Sequence, residues 1–562
     1  MLALPLRNFL RSRRCATCGR VNTLWVMLLA ATGTATLLVA MLWWGGRDAR
    51  DPTKLVQVYC AAGMRPAMEE IAANYKAETG IDIEFQFGGS NTLLNQIEIN
   101  KIDTADLYLA ADDFYVDAAV EKGLAAEILP IAHQRPVLVV KRDADVNIDS
   151  LEELLRSDLA IALGDPEQAA VGRAVKKQLS QIPAGETDRW QQLEQRITTN
   201  GVFKSTVNET ANDVKVGAAD AAIVWDSTAA MPQYRDVLKA IEFPELETDP
   251  NLISICVLNS SRNPTAALKF ARYVAAIDKG LQVFEKFGTK PVAGDVWAER
   301  PKITFFCGAV NRLAVEKIVE DFEKHEGVEV DDIYNGCGML TGNMKLINEQ
   351  RTDLGFPDVY MACDVYYLEN VKQWFQEAHI ISETEMVIAV PKGSDKVKSL
   401  NDLLKPGVRV AVGQPEHCTI GALTQRMLAA EGLYERLIEK QKTSGEVVVE
   451  LDSSARLIPQ VVPIGSDTTP ADVAIAYETD AKANADRVDI IHIDSPLNKA
   501  VQPFAISRTS MHKHLGRRLF RKIANSPEVF EAAGFRPRSG EFDTGDGIRE
   551  DQTDDEMAAK DE

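Results

Sequence analysis

The chain carries a second copy of itself. A landmark string near the start, Val58-Tyr-Cys-Ala-Ala-Gly-Met64, is followed by Phe87-Gly-Gly-Ser-Asn91 and Ala105-Asp-Leu-Tyr-Leu-Ala-Ala-Asp112. It returns as Phe305-Phe-Cys-Gly-Ala-Val-Asn311, Tyr334-Asn-Gly-Cys-Gly338 and Pro357-Asp-Val-Tyr-Met-Ala-Cys-Asp364. Cys60 and Cys307 are 247 residues apart, as are Ser90 and Cys337, and Asp112 and Asp364 are 252 apart. Farther on, Gly164-Asp-Pro-Glu167 recurs as Gly413-Gln-Pro-Glu416, and Ile223-Val-Trp-Asp226 as Ile475-Ala-Tyr-Glu478. Ordered landmarks at a near-constant offset mean two homologous repeats in tandem. Any fold that suits one must suit the other.

What surrounds the repeats places them. Residues 22–44 contain no charge, with Trp25 at one end and Trp43 and Trp44 at the other. That length spans a bilayer, with tryptophans at the interfacial positions. Arg7, Arg11, Arg13, Arg14 and Arg20 precede it, so a cytoplasmic basic N-terminus (1–21), a transmembrane helix (22–44) and repeats outside the cytoplasm are expected. The competing reading is a cleaved signal peptide, but the apolar run exceeds the usual length of such a core. A net charge of −21 argues against a nucleic-acid partner, which needs a basic stripe to displace counterions. Part of that acidity sits in 538–562, read as a solvated, disordered tail.

Within the first repeat, strand and helix patterns alternate. Leu55 to Tyr59, Ile81 to Phe87 and Leu107 to Ala110 read as strands; Pro66 to Thr79, Thr92 to Asn100 and Phe114 to Lys122 read as helices. Gly80 and Gly123 stand where helices stop. Pro136 to Lys141, Leu159 to Leu163, Ala221 to Trp225 and Ile253 to Leu258 continue the strands. The alternation predicts an α/β fold with an open, mainly parallel sheet and helices on both faces. The size of each repeat, 53–289 and 303–537, predicts two lobes with a cleft between them. Lys290 to Lys302 links the repeats.

In such sheets the ligand sits beyond the carboxyl ends of strands, at the starts of the following helices. The repeated landmarks are those turns. Ala61-Ala-Gly-Met-Arg-Pro66, Gly88-Gly-Ser-Asn-Thr92 and Ala170-Val-Gly172 offer backbone amides, aided by helix dipoles, to one anion without any Lys or Arg.

These strings resemble the periplasmic molybdate-binding proteins of ABC importers and, more broadly, the type II periplasmic solute-binding fold. The resemblance covers nearly all of both repeats. It implies tandem type II units of two α/β lobes each, a small oxyanion ligand, separate ABC permease and ATPase subunits, no cofactor and no enzymatic activity. Carried over, the ligand-binding positions are Ala62, Gly63, Ser90, Asn91, Val171, Val207 and Trp225 in the first repeat. In the second they are Ala309, Val310, Cys337, Ile420 and Tyr477, with Ser453 and Ser454 as further candidates. Gly63 stands where the family places a serine and Trp225 where it places a tyrosine, so hydroxyl donors are missing. Each lost donor in a desolvated site costs about 1–3 kcal/mol.

The second repeat also sets Cys307, Cys337, Cys363 and Cys418 in or beside its ligand-facing loops. They read as disulfides or small buried thiols, as soft-metal ligands or as a thiol redox centre. Three function classes follow: an oxyanion-binding module feeding an importer, an extracytoplasmic sensor or scaffold with degenerate repeats, and a soft-metal or thiol-redox protein. No Gly-x-Ser-x-Gly elbow, His-Glu-x-x-His or Walker loop supports catalysis. Asp112 and Asp364 are expected to cap helices, and His512 and His514 to lie on a solvated face.

Overall fold

The computed structural model describes residues 55–541, apart from 101–104, 147, 247–249, 351–354 and 463–469. The expected membrane helix, the Cys15–Cys18 pair and the acidic tail from Phe542 lie outside those residues. Among the described residues no helix is long and apolar enough to cross a membrane.

In the first repeat the strands are β1 (Leu55–Ala61), β2 (Asp82–Gly88), β3 (Leu107–Ala110), β4 (Ala125–Gln134), β5 (Pro136–Lys141), β6 (Ile161–Gly164), β7 (Pro183–Ala184), β8 (Thr187–Asp188), β9 (Gly201–Lys204), β10 (Ala221–Trp225), β11 (Leu238–Ile241), β12 (Asn251–Leu258) and β13 (Lys290–Pro291). They form a six-stranded sheet, β13-β4-β12-β3-β1-β2, and a five-stranded sheet, β11-β5-β10-β6-β9, with β7 and β8 as a hairpin. These are the two lobes. The chain enters the second lobe between β4 and β5 and returns between β11 and β12.

The sheets are mixed, not mainly parallel as the βα alternation predicts. β1 runs parallel to β3, and β6 to β9 and β10. β12 is antiparallel to both β3 and β4, and β5 to both β10 and β11. The antiparallel members belong to the two passages between lobes, where the chain returns without an intervening helix in the same sheet.

The second repeat has β14 (Lys302–Gly308), β15 (Glu329–Asn335), β16 (Val359–Met361), β17 (Phe375–Pro391), β18 (Val410–Gly413), β19 (Val447–Leu451), β20 (Val473–Tyr477), β21 (Val488–His492), β22 (Lys499–Ser507) and β23 (Arg536–Glu541). Here the two halves share one ten-stranded sheet, β15-β14-β16-β22-β17-β20-β18-β19, with β21 and β23 also on β17. The difference shows at the crossing between the halves. β17 runs unbroken for 17 residues, whereas the first repeat is interrupted at Arg135, immediately before Pro136, which has no N–H for a ladder. Its counterpart Met386 donates its N–H to Asn498 O at 2.6 Å.

Local signals explain the helices. In Arg65–Thr79, Ala67, Met68, Ile71 and Tyr75 are buried at three- and four-residue spacing, and Gly80 closes the helix at φ +73°, donating to Lys76 O. Asp112 and Asp364 cap the helices after them, accepting from Phe114 N at 3.1 Å and Tyr366 N at 2.9 Å.

The described residues from Val56 onward belong to one compact unit, and a buried carboxylate joins the repeats. Glu326 ends the helix Arg312–Glu326 and is 1% exposed. Arg272, from the first repeat, donates to its Oε2 at 2.9 Å and to its carbonyl at 2.6 Å. Arg518 donates to Oε1 at 2.7 Å. The 290–302 link is tied down as well: Asp295 accepts from the amides of His514 and Leu515, and Trp297 packs edge-on against Tyr75 and Tyr273. His514 is therefore not on a solvated face. Its ring meets Ala293 O at 2.7 Å, and burial lowers its pKa.

Burial alone would raise the Glu326 pKa, but the two guanidiniums, Arg518 first, hold it below the ordinary value. A lowered folded pKa stabilises above the unfolded value of about 4.3, and that stability is lost as pH falls through the folded one. Glu326→Gln should therefore cost about 3–5 kcal/mol at neutral pH, because it leaves two buried cations without their anion. In urea denaturation the gap between wild type and variant should close as pH drops below about 4.

Candidate functional site

The expected contact residues of the first repeat stand at helix starts. Ala62 and Gly63 form a single 3-10 turn between β1 and the helix Arg65–Thr79. Ser90 opens Ser90–Ile99, Val171 is second in Ala170–Leu179, Val207 opens Val207–Val216, and Trp225 ends β10 just before Asp226–Ala230. The first amides of a helix lack intrahelical partners, so each turn brings free donors to its tip.

The tips meet. A β-carbon on Gly63 would stand 3.1 Å from Val207 Cγ1 and 3.9 Å from Thr228 Oγ1, and Gly89 has no room for one against the carbonyls of Gln168 and Ser205. Glycine is required at 89 because the two lobes touch there, backbone to backbone. Asn208 Nδ2 donates to Ala62 O at 2.7 Å, and Arg173 of the second lobe pairs with the fully buried Asp112 of the first. Burial outweighs that guanidinium and pushes the Asp112 pKa up to about 6. Asn91, carried over as a ligand contact, is part of the same clasp: its amide donates to Glu167 O at 2.6 Å.

Two hydroxyls remain at the junction. Ser90 Oγ accepts from Ala111 N at 3.2 Å, which leaves its own hydrogen to donate. Thr228 Oγ1 is buried without any hydrogen-bond partner. Sequence reasoning missed Thr228; its signal was a hydroxyl three residues beyond Trp225, nearly one helical turn along.

In the second repeat, Ala309 and Val310 lie in the 3-10 turn after β14, Cys337 opens the helix Cys337–Gln350, Ile420 is second in Thr419–Ala430, and Tyr477 ends β20. A cavity of about 10 Å³ brings together Ala309, Ile420, Tyr477, Ser453 and Ser454 with Cys363 and Cys418. It has room for about one water. Val310 and Cys337 are buried beside it without lining it. Gly336 and Gly338 press on the carbonyls of Asp452, Glu416 and His417, so this cleft is closed as well. Tyr477 Oη, Thr419 Oγ1 and Asp480 Oδ2 are buried without partners; Thr419 and Asp480 were not foreseen.

All six described cysteines, Cys60, Cys256, Cys307, Cys337, Cys363 and Cys418, are buried free thiols. Cys337 Sγ lies 2.8 Å from Cys363 Sγ. Cys418 Sγ instead contacts Leu451 O at 3.3 Å, and Cys307 Sγ contacts Gly308 O at 3.7 Å. The four cysteines therefore do not converge on a soft-metal centre: among the described residues no group of three or more His, Cys, Asp or Glu could hold a metal ion.

Comparison with known proteins agrees with the duplication. A family model described as bacterial extracellular solute-binding protein matches residues 56–290 and again 303–536. The molybdate-binding protein of Mycobacterium bovis is 25% identical over 274 residues, covering 47% of this chain and 98% of its own. That of Escherichia coli is 30% identical over 142 residues, covering 24% and 53%. A sulfate-binding protein of Synechococcus elongatus is 24% identical over 263 residues, covering 42% and 73%. Among solved structures, the periplasmic molybdate-binding protein of Azotobacter vinelandii is 15% identical, with a TM-score of 0.34, and covers 42% of this chain and 98% of its own.

Asp480 gives the second cleft a pH signature. Its pKa is raised to about 6 by burial, against a hydrogen bond from Ser454. A raised folded pKa means stability present below the unfolded value of about 3.9 and lost as pH rises through the folded one. Asp480→Asn should flatten the fall of the thermal midpoint between pH 4 and pH 7; an unchanged slope would reject the assignment.

Proposed function

Because the chain belongs to the bacterial extracellular solute-binding protein family, once in each repeat, we propose that its first repeat captures a small, molybdate-like oxyanion. It delivers that ion to separate ABC permease and ATPase subunits. Residues 22–44 hold it in the cytoplasmic membrane as a single-pass, N-in protein, with both repeats outside the cytoplasm. The observation that carries this reading is Ser90: its Oγ is fixed by the Ala111 amide with its hydrogen free, at a helix start where both lobes meet.

The physical case is one of neutral donors. An anion held between helix starts takes N–H groups and the positive ends of helix dipoles, which favour negative charge without a full counter-charge. Such a site suits an oxyanion that must be released to a permease. Gly63 and Trp225 remove hydroxyls that the molybdate-binding family has, and the unpartnered Thr228 hydroxyl near Gly63 supplies a replacement. Ligand contact with both lobes would close the cleft by a hinge motion. The molybdate- and sulfate-binding relatives support a tetrahedral oxyanion as the ligand class.

Thermal-shift titration of the full chain with molybdate, tungstate, sulfate and phosphate should give a midpoint that rises with ligand concentration for at least one of them. No shift with any of the four would sink the proposal. Ser90→Ala and Thr228→Val should each weaken that ligand by about 5- to 150-fold, the equivalent of about 1–3 kcal/mol per lost donor. Calorimetric titration of each variant reads this directly.

A further inference from the structure

Among the differences between the two clefts, three substitutions are linked. Ala61, Ser90 and Ala111 become Gly308, Cys337 and Cys363. The frame is unchanged: the Ala111 amide donates to Ser90 Oγ at 3.2 Å, and the Cys363 amide donates to Cys337 Sγ at 3.1 Å. What changes is the pair of sulfurs, 2.8 Å apart at the ends of neighbouring elements. Gly308 makes room for them. A β-carbon there would stand 2.8 Å from Cys337 Sγ and closer still to Cys363 Sγ, so the alanine of the first repeat is incompatible with the dithiol.

The surroundings are equally specific. Cys363 opens onto the small cavity that Thr419 and Tyr477 also line. Their hydroxyls have no partner although the residues are 2% and 1% exposed. Cys337 opens a helix of 14 residues, so the positive end of that helix faces its sulfur. Burial would push the Cys337 thiol up, but hydrogen bonds from the Cys363 thiol and amide outweigh it and bring the pKa below the ordinary value. Cys363 is correspondingly pushed up, by Cys337 first and burial second.

We propose that the second cleft is a covalent receptor for a trivalent arsenic hydroxide, chelated by Cys337 and Cys363. Two sulfurs side by side on one face suit a pyramidal centre that takes both at a narrow angle. A linear two-coordinate cation needs its sulfurs on opposite sides, and a tetrahedral metal needs ligands that are not assembled here. A tetrahedral oxyanion gains little from thiols, which are weak donors. Arsenous acid, As(OH)3, is small and uncharged near neutral pH. Two As–O bonds break and two As–S bonds form; the two thiol protons leave with the two hydroxides as water, and no oxidation state changes. The third hydroxyl stays on arsenic and meets the unpartnered Thr419 and Tyr477 hydroxyls. The closed cavity requires the lobes to part for entry, as in any binding protein of this architecture. This assignment does not rest on the oxyanion reading of the first cleft.

The test uses the full chain carrying Cys15→Ser and Cys18→Ser, which removes the competing N-terminal pair. The protein is reduced, kept free of oxygen, incubated with sodium arsenite and desalted. One arsenic per chain is expected, together with a raised thermal midpoint and loss of iodoacetamide labelling at Cys337 and Cys363. Cys337→Ser and Cys363→Ala restore the residues of the first repeat and should each abolish retention, whereas Cys418→Ser should keep it. The proposal is overturned by absence of bound arsenic in the reduced chain or by retention in both cleft variants. It is also overturned by a Cys337–Cys363 pair that takes label only after reduction and then ignores arsenite, which would identify a structural disulfide.

Discussion

One buried carboxylate governs how the two repeats relate. Glu326 lies between Arg272 of one repeat and Arg518 of the other, out of water, where a lone charge is prohibitively costly and a paired one depends on geometry. Such a contact tolerates no sliding. The helices that carry it pack on the sheet of β1 and β3 in the first repeat and on that of β14 and β22 in the second. One lobe of each repeat is thereby fixed into a common centre. The lobes built on β10 and β20 carry no part of that contact.

Much of this organisation was legible in the sequence because it rests on local chemistry. Gly80 and Gly327 end helices in the left-handed region, and Asp112 and Asp364 accept from the amides two residues on. The strand Leu107–Ala110 has the bounds its apolar run implies. Strand direction was not legible: Ile253 to Leu258 is apolar whichever way it runs, and only the passage between lobes makes β12 antiparallel. Partners distant in sequence were equally hidden. Nothing in Gly-Gly-Ser-Asn shows that Asn91 would reach Glu167, or that His514 would turn toward Ala293 in the link.

The candidate sites were legible as positions more than as chemistry. Helix starts fell where the landmarks placed them, since duplication preserved the strand-to-helix turns. Thr228 escaped because a threonine one turn into a short helix is ordinary in sequence, and becomes informative only when burial leaves its hydroxyl without a partner. The cysteines of the second repeat were conspicuous, yet their spacing along the chain gave no pairing. Folding separates them into Cys337 with Cys363, against Cys307 and Cys418 bonded to nearby carbonyls.

The proline at 136 has a consequence for how each cleft is hinged. Opening a cleft means rotating one lobe about the strands that cross between them. In the first repeat the strand breaks at the crossing, and Arg135 and Asp226 hold the joint: Arg135 N–H donates to Asp226 Oδ1 at 3.1 Å and Asp226 N–H to Arg135 O at 2.9 Å. In the second, β17 carries its hydrogen bonds through the crossing as part of a single sheet, and rotation must bend paired backbone. The two clefts on one centre are thus hinged differently: a clasp between two residues holds the first crossing, and one continuous paired strand makes the second.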